Sequence, residues 1–413
     1  MNRETLFQIG STTKTMTSTV ALRLAEAGRL DLDAPVRTYL PELRLADESA
    51  AASVTLRHVF THSGGWLGDY FDDTGRGDDA LAKVVARLVH LPQLTPVGTQ
   101  WHYGNSGFYV AGRVIEVVTG TTFETAMREL LFEPLGMERS FFFADDCIAY
   151  RVAVGHMVRG DTPEVARRWA LPRNAHAAGG VTSDVPDQLR YAQFHLGDGR
   201  APDGTRLASR DGLAAMHEPS GPGGAVGLSW WVRIVGGERV VSHGGTTAGQ
   251  QAEFVLVPSR QFGMTVLTNS TRGHALGREL VRLALREYCG IDDPDPDIVP
   301  GSVDELARVA GRYEIARSQL ELRLGDGGIV LELGPRPGVA PPPNGWPPFA
   351  PPARCARSAP DELWVVEGPL RGSRVEVLRE PDGTIAWVRF GLRLYAPEAR
   401  AARYPAHGGG LVT

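Results

Sequence analysis

The sequence predicts an α+β protein: helices layered with an antiparallel meander through about residue 290, followed by a second, all-β part. Three observations carry that prediction. Helical periodicity recurs through the first half, two hairpins follow each other between residues 228 and 268, and short strand-like runs separated by turns fill the region beyond 302. Consecutive hairpins, rather than strand–helix–strand units, point to an antiparallel sheet.

Residues 11–28 read as a helix with Met16, Val20, Leu22, Leu24 and Ala25 on an apolar face and Gly28 as its stop. Residues 31–39 contain Pro35 and read as an extended link, and 55–62 as a short helix ending at Ser63-Gly64-Gly65. A long polar connection over 66–100 holds one helix around 78–91. Residues 101–106 read as a loop, and 107–119 and 122–131 as helices. Strand-like runs 228–234 and 239–242 flank Val235-Gly236-Gly237-Glu238, a hairpin signal, and 252–257 and 263–268 flank Pro258-Ser259-Arg260. Helical periodicity returns over 276–288, and 290–302 is a linker rich in Asp and Pro. Beyond it, strand-like runs fall at 313–315, 320–324, 329–333, 363–366, 375–378, 385–390 and 392–395, with turns such as Gly325-Asp326-Gly327 and Pro381-Asp382-Gly383. That spacing argues for a small barrel or sandwich. Residues 334–353 interrupt it with nine prolines and read as an extended surface loop in polyproline form. The resulting domains are 1–290 and 303–413, joined by 291–302. No internal repeat is visible.

Composition narrows the function. A length of 413 residues suggests two or three domains at ~150 residues each. The net charge of -5, with no polybasic run, argues against nucleic acid as a partner. Cys147, Cys289 and Cys355 are too few and too scattered for a disulfide framework or a zinc site. No apolar run is long enough to span a membrane. Met1-Asn2-Arg3-Glu4 shows no signal peptide, which leaves a cytoplasmic location by default. The expected partner is a small-molecule or peptide substrate, with neither cofactor nor metal, and the oligomeric state stays open.

The chain carries 43 basic residues, of which only Lys14 and Lys83 are lysine. Lys14 closes Ser11-Thr12-Thr13-Lys14. Positions i and i+3 share a helix face, so hydroxyl and amine can meet. Serine is a weak nucleophile until a base removes its proton. A lysine made neutral by burial can be that base, whereas arginine does not deprotonate in proteins. Alone, the four residues also fit a helix cap followed by a surface lysine. Tyr103-Gly104-Asn105 is a second element: the tyrosine can share a proton, and the asparagine amide can bond a carbonyl and the lysine together. Taken by itself it is equally a loop anchor beside a turn asparagine. The third element is Ser242-His243-Gly244-Gly245-Thr246 at the end of the 239–242 strand. Its glycines permit close backbone approach, and the N–H groups of Thr246 and Ser11 can form an oxyanion hole. The bland reading is a strand-end histidine at a glycine turn.

Ser11–Lys14, Tyr103–Asn105 and His243–Gly245, in this order, resemble the three motifs of the penicillin-binding protein and class C β-lactamase superfamily of serine hydrolases. Flanking segments agree, among them Leu56-Arg57-His58-Val59-Phe60-Thr61-His62-Ser63-Gly64-Gly65 and Ala178-Gly179-Gly180-Val181-Thr182-Ser183. The resemblance covers about residues 4–290. It implies helices on both faces of an antiparallel sheet, with a helical subdomain over the active site. It also implies an acyl-enzyme on Ser11, with Lys14 and Tyr103 as general base pair and Asn105 as anchor for substrate and lysine. His243, Gly244, Gly245 and Thr246 would bind substrate. Residues 303–413, with Val309-Ala310-Gly311-Arg312-Tyr313, are similar to the lipocalin-like barrel that follows many such hydrolases.

Two departures shape the expectations. His243 stands where the third motif usually has lysine. Only partly charged near pH 7, it would hold a carboxylate less firmly, which moves the expected substrate from β-lactams to esters and peptides. Only ten residues precede Ser11, where members of the superfamily carry a helix and two strands, so an exposed sheet edge is expected. The leading expectation is an esterase or D-peptidase-like hydrolase. Beside it stand an acyltransferase, including a peptide-cyclising one, and a catalytically silent binding protein. His58 and His62 have zinc-binding spacing but lack the companion Glu and a third ligand. Trp230-Trp231 reads as sheet packing rather than as a pocket wall.

Overall fold

Nine consecutive residues leading into and along the first long helix, Thr12 to Val20, are buried, although five of them are threonine and one is serine. The hydroxyls make this possible. Thr15 Oγ1 donates to the Thr12 carbonyl at 2.8 Å, Ser18 Oγ to Thr15 at 2.9 Å and Thr19 Oγ1 to Thr15 at 2.8 Å. These three hydroxyls donate back to the turn before them, while Thr12 Oγ1 donates to the His243 carbonyl and Thr13 Oγ1 accepts from Val181 N–H, so the polar side chains enter the core with hydrogen-bond partners.

The computed structural model describes residues 1–325, 328–339 and 349–403. It divides into two units, Met1–Asp293 and another beginning at Pro294. In the first, strand β1 (Phe7–Gln8) leads through a 3-10 turn (Gly10–Thr12) into helix α1 (Thr13–Glu26). Helices α2 (Leu56–Phe60), α3 (Ala80–Arg87), α4 (Asn105–Thr119), α5 (Phe123–Met127) and α6 (His176–Gly179) follow. Next come β2 (Thr182–Ser183) and helix α7 (Val185–Leu196). The main sheet is β3 (Trp231–Val235), β4 (Glu238–Thr247), β5 (Gln250–Val257) and β6 (Phe262–Thr268), and helix α8 (Gly273–Ala284) ends the unit.

The sheet is antiparallel in the order β3-β4-β5-β6, as consecutive hairpins require. Pleat alternation assigns its faces. Val255 and Val257 of β5 pack with Val281 of α8, and Phe262 and Met264 of β6 join them. On the other face, Phe254 stacks on Tyr191 of α7, and a Cβ at Gly263 would meet Ala192 and Leu196. Helices therefore cover both faces. Strand β6 pairs with β5 alone among the described residues and is half-buried along its whole length.

Several boundaries move. The α4 helix begins at Asn105, inside the expected loop. The expected 122–131 helix is α-helical only to Met127 and then widens into a π-type turn (Arg128–Phe132). β4 runs on through Thr247, so the third motif lies within a strand rather than at its end.

The second unit is a closed antiparallel barrel of eight strands. They are β7 (Gly311–Ile315), β8 (Ser318–Gly325), β9 (Gly328–Pro335), β10 (Ala353–Ala359), β11 (Glu362–Val365), β12 (Arg374–Arg379), β13 (Ile385–Phe390) and β14 (Arg393–Pro397). Its interior is filled by side chains such as Leu320, Leu331, Val365, Val377 and Phe390. Strand β10 was not expected: Arg354, Arg357 and Ser358 mask its alternation, and only Ala353 and Cys355 turn into the core. Of the proline-rich segment, residues 340–348 lie outside the described residues, as do Asp326 and Gly327 of the expected turn.

Candidate active site

Ser11 sits on the 3-10 turn that precedes α1, between β1 and β4. Ile9 N–H donates to the Val181 carbonyl at 3.0 Å, which fixes the turn from one side. Gly10 has φ +52°, and a Cβ there would lie 2.7 Å from Thr246 N. A Cβ at Gly245 would lie 1.8 Å from the Ile9 carbonyl oxygen and 3.1 Å from Ser11 N. The Ser11 turn and the third-motif strand are thus in direct backbone contact, at positions where glycine leaves no side chain in the way.

One turn further on, Lys14 is completely buried. Its Nζ lies 3.0 Å from Ser11 Oγ, 2.7 Å from Asn105 Oδ1 and 2.5 Å from the Ala178 carbonyl. It also stands 4.8 Å above the Tyr103 ring. The structure therefore brings Ser11, Lys14, Tyr103 and Asn105 together. Asn105 uses the other end of its amide as well: Nδ2 donates to Asp69 Oδ1 at 2.8 Å.

The loop around residues 62–70 holds the second motif, Tyr103–Asn105, in place. His102 N–H donates to the His62 carbonyl at 3.0 Å and Gly104 N–H to His62 Nδ1 at 3.2 Å. The His62 ring packs 4.6 Å from that of Tyr103. His58 caps its own helix through Thr55. The two histidines thus serve the backbone, and among the described residues no group of three or more potential metal ligands occurs.

His243 lies on β4, its ring 6.2 Å from that of Tyr103. Its Nδ1 donates to the Gly244 carbonyl at 2.6 Å, which leaves Nε2 as the lone-pair nitrogen. Complete burial, then the nearby Lys14 charge, push its pKa down to about 3. The expectation of a partly charged histidine is corrected: the ring is neutral at neutral pH. Thr246 is exposed, and its hydroxyl donates to Gln251 Oε1 at 2.6 Å. Gly244 has room for a Cβ, whose nearest neighbour would be 3.4 Å away.

Sequence reasoning missed Asp69, the Ala178 carbonyl and Trp231. Trp230 packs the core against Tyr191 and Phe254 as expected, but Trp231 stacks on His62 at 5.7 Å and lies 6.2 Å from Tyr103. The Ala178 carbonyl belongs to α6, whose first residue is tied down remotely. His176 Nδ1 contacts Glu124 Oε1 at 2.7 Å, and Arg173 pairs with the same carboxylate at 3.1 Å. Burial pushes Glu124 up, but hydrogen bonds from His176 and Arg173 outweigh it and bring its pKa down to about 2.

Comparison with known proteins gives consistent matches. The family described as Beta-lactamase matches residues 1–287. Penicillin-binding protein 4 of Amycolatopsis lactamdurans is 34% identical over 328 residues, covering 75% of this chain and 85% of that protein. Esterase EstB of Burkholderia gladioli is 37% identical over 152 residues, 33% of this chain and 38% of the esterase. The crystal structure of SurE superposes with a TM-score of 0.72 at 25% identity, covering 96% of this chain and 88% of that one. Among the described residues, no helix is long and apolar enough to cross a membrane.

Proposed function

Since the chain belongs to the beta-lactamase family of serine hydrolases, we propose that it hydrolyses an ester or peptide-type amide through an acyl-enzyme on Ser11. The observation that carries the reading is the Lys14 amine, 3.0 Å from Ser11 Oγ and anchored by Asn105 and Ala178. Lys14, with Tyr103 beside it, takes the hydroxyl proton as Oγ bonds to the substrate carbonyl carbon. Negative charge then develops on the carbonyl oxygen, where the N–H groups of Ser11 and Thr246 stabilise it. The proton passes to the leaving alkoxide or amine as its bond to carbon breaks. Water adds next, loses its proton to the same base, and frees the acid and Ser11.

The third-motif strand supports an uncharged recognition site. A neutral His243 offers no cation for a substrate carboxylate, so Gly244 and Gly245 contribute backbone contacts and Asn105 a side-chain amide. This favours esters and peptide amides over β-lactams. The penicillin-binding protein and the esterase among the relatives fit acyl chemistry of this kind.

The test is intact mass after incubation with a fluorophosphonate and, separately, a fluorescent penicillin. The expected result is one fluorophosphonate adduct, absent in Ser11→Ala, with slower or no penicillin adduct. A folded protein that gives no adduct dependent on Ser11 refutes the reading. Release of acyl groups to added amines faster than to water would reassign the enzyme as a transferase.

A further inference from the structure

We propose that Asp69 is a positioning residue of this site: by accepting a hydrogen bond from Asn105 Nδ2, it fixes the Asn105 amide with its oxygen turned toward Lys14. The inference rests on the acyl-transfer reading of Ser11 and Lys14. Its basis is a chain of two short contacts, Asp69 Oδ1 to Asn105 Nδ2 at 2.8 Å and Asn105 Oδ1 to Lys14 Nζ at 2.7 Å.

An asparagine amide has an accepting end and a donating end, and rotation by half a turn exchanges them. A flipped Asn105 would aim N–H groups at the lysine amine and its oxygen at a carboxylate. An ionised carboxylate only accepts, so Asp69 rejects the flipped state. A neutral, bidirectional partner would not discriminate in this way. The unflipped amide oxygen anchors the same Lys14 amine that contacts Ser11 Oγ, so it helps to hold the amine within reach of the hydroxyl proton.

The backbone places Asp69 for this task. Ser106 N–H, one residue past Asn105, donates to the Gly68 carbonyl at 2.8 Å, and Ser106 Oγ donates to the Leu67 carbonyl at 3.0 Å. A Cβ at Gly68 would fall 2.2 Å from the Tyr103 carbonyl oxygen, so the loop and the second motif press together at a glycine. Just past Asp69, the Tyr70 carbonyl accepts the Tyr109 hydroxyl of α4 at 2.7 Å. The carboxylate therefore rides on a segment clamped to α4 on both sides.

The two lysines of the chain make the effect readable without turnover. Lysine labelled with 13C at Cε gives two resonances, and Lys83→Arg assigns them. The Lys14 resonance is titrated in the parent protein, in Asp69→Asn and in Asp69→Ala. Ser11 labelling by the fluorophosphonate is timed in the same three proteins, with circular dichroism as the check on folding. Titratable groups around this chain of contacts include Tyr103 and His243 beside Lys14, His62 against Tyr103, and Tyr70 and Tyr109 beside Asp69. They are unchanged across the three proteins.

Loss of the carboxylate removes a nearby negative charge and frees the amide to flip, and both favour the neutral amine. The Lys14 midpoint is expected to fall by ~0.5 unit or more in both variants. The fall should be larger in Asp69→Ala, which has no partner at all, than in Asp69→Asn, which keeps an acceptor oxygen. Labelling should slow by ~10–100-fold in Asp69→Ala and less in Asp69→Asn, because the amine is no longer aimed at Ser11. A Lys14 midpoint within ~0.2 unit of the parent in both variants overturns the proposal. So does parental labelling by folded Asp69→Ala. If the parent itself fails to label while the Lys14 midpoint still moves, the hydrolase reading falls and the positioning role stands.

Discussion

Gly245→Ala should damage this site far more than Gly244→Ala, although the substitutions are adjacent and chemically identical. Neither glycine is among the residues with positive φ, so backbone strain does not separate them. Space does. At Gly244 the new methyl meets its nearest atom, the Ala252 carbonyl oxygen, at 3.4 Å, an ordinary contact. At Gly245 it would lie 1.8 Å from the Ile9 carbonyl oxygen, so the turn or the strand must retreat by about 1.6 Å. That motion separates Thr246 N from the Ser11 turn, the two backbones proposed to share the oxyanion. A 1 Å misplacement is worth ~100-fold in rate, and loss of one oxyanion donor ~100–1000-fold. Gly245→Ala should therefore slow fluorophosphonate labelling by ~100-fold or more, and at least ~10-fold more than Gly244→Ala, which leaves turn and strand in place. Overpacking of ~1–3 kcal/mol should also lower the thermal midpoint of Gly245→Ala by a few degrees, leaving a folded protein to assay. Parental labelling by a folded Gly245→Ala would refute the idea that turn and strand form one oxyanion site.

Two further outcomes follow from the charge arrangement. Because His243 is neutral down to about pH 3, its titration should leave no step in the labelling rate between about pH 5 and 8. A step near pH 6.5 that vanishes in His243→Gln would contradict that state. Glu124 should matter to acid stability, with a worked sign: its folded pKa of about 2 lies below the ordinary 4.5. Its contribution is therefore present above pH 4.5 and is lost as pH falls toward 2. The full shift corresponds to about 3 kcal/mol, of which about 2 kcal/mol is gone by pH 3. Glu124→Gln should be less stable than the parent in urea at pH 7, and the gap should shrink by about 2 kcal/mol at pH 3. Buried His195 and His217 also weaken both proteins in acid, so the informative quantity is the difference between them. A gap that does not change with pH would mean that the Arg173 and His176 contacts leave Glu124 at its ordinary acidity.

What the sequence disclosed and what it withheld divide along a physical line. The side chains that the structure brings together around Lys14 were legible as a group. Ser11 and Lys14 sit three apart, and no arginine could replace the lysine in a chain whose basic residues, Lys83 apart, are otherwise arginine. Asn105 and the Gly244-Gly245 pair were legible because their neighbours carry the same constraint. Hairpins announced the sheet through their turns, and seven of the eight barrel strands through alternation, whereas in β10 Arg354 and Arg357 interrupt the apolar pattern. The supports of the site left no such mark. Ala178 acts through its carbonyl, which every residue possesses, and Asp69 is one carboxylate among 48 acidic residues. His243 shows the limit most sharply. Its identity could be read, but its charge could not, because neutrality comes from burial by chain segments far away in sequence. The chemistry of this site is therefore written in a few side chains, while its tuning is written in backbone carbonyls, glycine contacts and burial. Substitutions at Asp69, Gly245 and Glu124 probe that second layer, each at a position where Lys14 or Ser11 is left unaltered.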